Sequence, residues 1–222
     1  RGAAPGTVRV ERVVAAGGAR SWIVQLPGTQ SWAPRPGANP FDLSAGVATL
    51  AGRRSAVGSL VVQALRGCGA RPGEPVLLVG HSLGGMAAAQ LAADPQLRRE
   101  VTITHVVTAG SPIALSGVPD EVRVLALEHD QDPVAWLDGA TNPDRPRWVT
   151  VGAPAAGGAG GGHELSGYVE LGAAVDASRD PGLVRWREGL SVFLDRPGAT
   201  STGWEVTGER VTGGQGGVAG PG

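Results

Sequence analysis

At 222 residues the chain is long enough for one α/β domain with a sizeable core and short for two. A formal net charge of -1 gives no electrostatic footing for nucleic acid or for an anionic membrane surface. One cysteine, Cys68, excludes an intrachain disulfide and a cysteine-based metal cluster.

In chain order, Thr7 to Val14 alternates as a strand with Val8 and Val10 on one face, and a Gly17-Gly18 turn leads to a second strand, Arg20 to Leu26. The stretch LPGTQSWAPRPGANP is too rich in Pro and Gly for regular structure and reads as a loop. Apolar residues at Leu43, Val47, Leu50, Val57, Val61 and Leu65 predict one amphipathic helix from Leu43 to Arg66, ended by Gly67. Val76 to Val79 is a short, wholly apolar run, the pattern of a strand buried on both faces. A helix follows it, ending near Asp94-Pro95.

VTITHVVTAGSP and VRVLALEHDQDPV predict two more buried strands, the second running into an acidic turn, and RWVTVGAP predicts the last. Gly152 to Gly162 reads as a flexible Gly/Ala loop. Helical patterns then run from His163 to Asp176 and through Leu183, Trp186, Leu190 and Leu194. Residues 1–196 are therefore expected to form a single domain, and residues 197–222 a Gly-rich, poorly ordered tail. Strands alternating with helices imply an α/β fold, a mostly parallel sheet with helices on both faces. No signal peptide and no apolar run of roughly 20 residues is legible, so the chain reads as soluble with its compartment open.

Ligands of such sheets bind at the carboxyl ends of the strands, where Thr29, Ser82 and Asp132 fall. In VGHSLGGM, Ser82 occupies a G-x-S-x-G turn between a buried strand and a helix. With 37 glycines in the chain that pattern alone is weak, and the context carries it. Gly80, Gly84 and Gly85 stand where a strained turn and close helix–strand packing exclude Cβ atoms, and the helix start aims free N–H groups at the serine. A phosphate-binding loop would need further glycines or a lysine in this turn, and the turn has neither.

A serine nucleophile needs a base, and the base an acid, which on this type of elbow follow in the order Ser, Asp or Glu, His. Of the four histidines, His81 lies inside the elbow, His105 inside a strand and His129 before the acidic turn, which leaves His163. Glu128, Asp130, Asp132 and Asp138 are available as the acid. Asp132 is favoured because it sits where the chain leaves its strand, with Pro133 setting the turn, and Asp130 is the alternative.

VGHSLGG, then TAGSP, then D-P-V together resemble the lipase class 3 (fungal-type lipase) branch of the α/β-hydrolase superfamily, over about Ser21 to Tyr168. The resemblance implies an α/β-hydrolase fold with Ser82 as nucleophile, Asp132 as acid and His163 as base. LPGT then resembles the family's oxyanion loop, with Thr29 beside the Leu83 amide. Pro27 stands where that loop usually has arginine, and Ser111 to Glu121 is too short for a capping insertion, so a minimal cap is expected.

The activity so implied is carboxylic-ester hydrolysis, esterase or lipase, through an acyl-enzyme on Ser82. Leu83 with Thr29 or Gln30 would hold the oxyanion, and Trp32 and Trp136 are candidates to line an acyl pocket. The substrate would be a small-molecule ester or lipid, with no cofactor, metal or nucleic acid. An acyltransferase or thioesterase with the same three residues, or a non-catalytic binding protein on a hydrolase scaffold, are the alternatives.

Overall fold

The computed structural model describes residues 4–53, 55–154, 162–194 and 197–211. Its elements are β1 (Thr7–Val14), β2 (Arg20–Leu26), α1 (Leu43–Leu50), α2 (Ala56–Gly67), β3 (Pro75–His81), α3 (Leu83–Ala93), β4 (Thr102–Ala109), β5 (Arg123–His129), β6 (Trp148–Ala153), α4 (Leu165–Ala177), α5 (Pro181–Gly189) and β7 (Thr200–Thr207). They build one seven-stranded sheet in the order β6-β5-β4-β3-β2-β1-β7. The strands from β2 to β6 pair in parallel, and β1 is antiparallel to both of its neighbours.

The near-continuous apolar runs of the parallel strands feed two cores, because alternate side chains leave opposite faces. On β5, Val124 and Ala126 join the core under α1, α2 and α3, whereas Leu125 and Leu127 join the core under α4 and α5. Each large aliphatic side chain so buried contributes about 1.5–3 kcal/mol. In the second layer His105 packs edge-on against Trp186 and Phe193. Burial, with Arg123 and Arg147 nearby, lowers its pKa to about 4, so it is a neutral core residue at physiological pH.

The structure differs from the sequence expectation at three places. The single helix expected over 43–66 is two. Gly52, at φ +69°, ends α1, and Ser55 opens α2. The register changes across that break, so Val47 and Leu50 lie exposed while Val57, Val61 and Leu65 are buried. The left-handed residue behind α2 is Gly69, at φ +87°, and not Gly67.

The expected disordered tail is the third difference. Residues 200–207 form β7, which pairs with β1 along its whole length, from Thr7 opposite Thr207 to Val14 opposite Thr200. Its composition of Thr, Ser and Gly hid it, because an edge strand with one solvated face needs few apolar residues. Trp204 and Val206 supply those few, packing on the first core, with Trp204 stacked 6.2 Å from Trp22. Residues 155–161 of the expected Gly/Ala loop, and 212–222 of the expected tail, lie outside the described residues.

Deleting everything after Arg196 is therefore expected to cost about 3–5 kcal/mol, a drop of about 10 °C in the thermal unfolding midpoint of a chain this size. An unchanged midpoint by circular dichroism would show that β7 adds nothing to the domain.

Candidate active site

Ser82 is the turn between β3 and α3. Its backbone, at φ 55° and ψ -122°, makes it the one non-glycine residue with positive φ among the described residues. Such a conformation costs about 1–3 kcal/mol and persists only where the surroundings over-determine it. Here they do. The Ser82 N–H donates to the Ala109 carbonyl (2.9 Å), and its carbonyl accepts from Gly85 N (3.0 Å), Met86 N (3.1 Å) and Ser111 Oγ (2.9 Å). A Cβ on Gly80 would run into the Gly84–Gly85 backbone, one on Gly84 into the Leu26 and Pro27 carbonyls, and one on Gly85 into Ser111. The three glycines thus let the strand, the helix and the loop after β2 meet at van der Waals distance around one small side chain.

His163 reaches this elbow from the far side of the sequence. Its Nε2 lies 3.0 Å from Ser82 Oγ and its Nδ1 lies 2.8 Å from Asp132 Oδ2. A carboxylate has no proton to give, so Nδ1–H donates to Asp132 and Nε2 is left as an acceptor toward the serine hydroxyl. Asp132 is wholly buried, and Pro133 begins a short 3-10 turn that it caps, with Val134 N donating to Oδ1 at 2.9 Å. A Cβ on Gly162 would fall 2.8 Å from the Gln131 carbonyl, so the residue before His163 must be small for His163 to approach Asp132.

Three supporting groups escaped the reading of the sequence. Tyr168, the chain's one tyrosine, donates its hydroxyl to Asp132 Oδ2 at 2.6 Å and accepts the His129 N–H at 3.2 Å. Burial and the adjacent Asp132 push that phenol well above its ordinary range, so it remains a donor. Its place on α4, five residues beyond His163, was the available signal. Gly110, at φ +56°, passes so close that a Cβ there would sit 2.5 Å from Asp132 Oδ2. His81 turns away from Ser82 and places Nε2 2.9 Å from the His163 carbonyl. Burial and the neighbouring His163 lower its pKa, so at neutral pH it braces His163 as a neutral ring.

The remaining candidates separate cleanly. Leu83 opens α3, where its N–H has no partner within the helix, directly beside the serine. Thr29 follows Gly28, whose position is so tight that a Cβ would lie 3.3 Å from Ser82 Cβ. Gln30 is a correction: its N–H is donated to the Phe41 carbonyl at 2.8 Å, and its side chain ties Gly6, Asn39 and Ala4. It fastens the loop and does not present its amide to the serine. Trp32 and Trp136 are 71% and 48% exposed, so neither walls an enclosed pocket. Asp130 is exposed, with its N–H on the Ala153 carbonyl, while Asp132 makes the contact with His163. His129 is a local hydrogen-bonding residue, with Nδ1 3.1 Å from the Ala153 carbonyl. Among the described residues, no three His, Cys, Asp or Glu side chains gather as metal ligands would.

Tyr168→Phe keeps the ring and removes one donor from a buried carboxylate, so it should cost about 1–3 kcal/mol in chemical denaturation. Gly110→Ala should cost more, because backbone strain and overlap with Asp132 and Tyr168 act together. A Gly110→Ala protein as stable as the parent would show that the Asp132 site is less tightly closed than its geometry implies.

Among the described residues no helix is long and apolar enough to cross a membrane. A search of curated proteins returned no match. The model of a family described as alpha/beta hydrolase matches residues 4–213, nearly the whole chain. With the parallel sheet, the elbow and the flanking helices already in place, the chain belongs to the alpha/beta hydrolase family.

Proposed function

We propose that the protein is a serine hydrolase of carboxylic esters, with Ser82 as nucleophile, His163 as base and Asp132 as the acid that orients it. The observation that carries this reading is the unbroken hydrogen-bond path from Ser82 Oγ through His163 to Asp132, on a serine held at positive φ before a helix N-terminus. His163 Nε2 takes the hydroxyl proton as Ser82 Oγ attacks the ester carbonyl carbon. The oxyanion that forms is held by the Leu83 N–H and, from the loop after β2, the Thr29 N–H. Collapse expels the alcohol, protonated by His163, and leaves an acyl-serine. Water, deprotonated by the same ring, then releases the acid. The likeness of VGHSLGG, TAGSP and D-P-V to fungal-type lipases points the same way.

The substrate class follows from what covers the site. The connection between β4 and β5 holds only hydrogen-bonded turns at Ile113–Ser116 and Pro119–Val122, and the loop from Ser31 to Phe41 holds no helix. The His163 side chain is 31% exposed. Among the described residues nothing helical covers the site, and an open mouth of this kind suits soluble, short-chain esters.

Hydrolysis of p-nitrophenyl butyrate tests the reading. Ser82→Ala should abolish it with the fold intact. Asp132→Asn should lower kcat by about three to four orders of magnitude, and Asp130→Asn by less than about threefold. The reverse ranking would move the acid to Asp130. With tributyrin, the rate should saturate smoothly through the point of emulsion formation, and a sharp rise there would reveal a mobile cover.

A further inference from the structure

The loop that carries Thr29 is closed by its own backbone, and the closure is fastened from the other end of the chain. Gln30 N and Ser31 N both donate to the Phe41 carbonyl (2.8 and 3.3 Å), and Leu43 N donates to the Ser31 carbonyl (2.9 Å). The next residue after Phe41 is Asp42, only 1% exposed. Its Oδ1 accepts from Ser44 Oγ (2.6 Å), Ala45 N (2.9 Å) and Arg210 Nη2 (3.1 Å), and its Oδ2 from Gly37 N (3.1 Å) and Arg210 Nη1 (2.5 Å). Arg210 also binds the loop backbone, through N–H to the Ala38 carbonyl (2.6 Å) and Nη1 to the Gly37 carbonyl (3.1 Å).

This arginine lies 168 residues from Asp42, just beyond β7. A bidentate guanidinium–carboxylate pair fixes direction as well as distance. Burial alone would disfavour the Asp42 charge, but Arg210, Ser44 and the Ala45 and Gly37 amides more than offset it and hold the carboxyl well below its usual range. From this buried node the path to the serine is short. Asp42 fixes Phe41, the Phe41 carbonyl fixes Gln30 N–H, and the residue before Gln30 is Thr29. On the other side, Asp42 caps α1, whose Gly46 lies against Leu83.

We infer that Arg210 is a positioning residue: by clamping Asp42 it holds the Thr29 amide in register with the Leu83 amide, so that two donors converge on one oxyanion. This rests on the ester-hydrolase reading of Ser82. Binding of the uncharged ester does not call on that register, whereas the tetrahedral oxyanion does. Loss of the clamp should therefore appear in kcat and leave KM nearly unchanged.

The test compares Arg210→Gln and Arg210→Lys with the parent protein, using p-nitrophenyl butyrate kinetics and amide hydrogen exchange over residues 28–43. Arg210→Gln should lower kcat about 10–100-fold with KM within about twofold, and Arg210→Lys should restore part of it. Exchange at Gln30 and Ser31 should speed up at least about tenfold in Arg210→Gln while β3 stays protected. Unchanged kcat with unchanged loop exchange would overturn the inference, as would a loss of activity that only follows global unfolding. If the parent protein shows no Ser82-dependent hydrolysis, the functional reading fails on its own. Loop exchange then decides separately whether Arg210 is a clamp.

Discussion

A side chain can stand free at a strand-to-helix corner only if the backbone on either side of it can approach within van der Waals contact, which side chains at the packing positions would prevent. That steric condition governs the region around Ser82. Gly80, Gly84 and Gly85 bring β3, α3 and the loops after β2 and β4 into contact, and each would clash with backbone or with Ser111 if it carried a Cβ. The contact in turn supplies hydrogen bonds to both backbone ends of Ser82, which hold it at φ 55°. The strain is local, the restraint is collective, and the result is a hydroxyl fixed at the mouth of the sheet beside an uncapped helix N-terminus.

The second requirement is a buried carboxyl group whose hydrogen bonds are all met inside the protein. Asp132 lies out of contact with water, yet its two oxygens take hydrogen bonds from Val134 N, Tyr168 Oη and His163 Nδ1. Three donors around one carboxylate compensate for lost hydration and also fix which way it faces. His163 then has one nitrogen committed and one free, which is the state a proposed general base needs. The carboxyl ends of β3, β4 and β5 each contribute one part: the elbow, the Gly110–Ser111 turn that supports it, and Asp132.

Much of this was legible in the residues. The G-x-S-x-G turn, the chain order Ser, Asp, His and the scarcity of histidine single out Ser82 and His163 and leave Asp132 favoured over Asp130; the structure brings Ser82, His163 and Asp132 within hydrogen-bonding distance. The apolar runs of β3, β4 and β5 were equally plain, since strands buried on both faces carry a strong signal. What escaped was information that lives in contacts across the chain. β7 has almost no apolar pattern and is defined by its partner β1. Gln30 looked like an amide donor at the site, but Phe41, brought back by the loop, takes its N–H. Tyr168 and Gly110 support Asp132 from segments 36 and 22 residues away, spacings that no local pattern encodes. The break between α1 and α2 was readable in Gly52 and Ser55, but a helical period that happened to run through both obscured it.

Everything proposed for this protein depends on Ser82 being an activated nucleophile and not a turn residue. Treating the protein with a fluorophosphonate and mapping the modified peptide tests it most directly, because such reagents phosphonylate a serine only when a base removes its proton and an oxyanion site receives the charge. The expected result is a single adduct, on Ser82, formed in the parent protein and essentially absent from His163→Ala. An unmodified protein, or an adduct on any other serine, would contradict it.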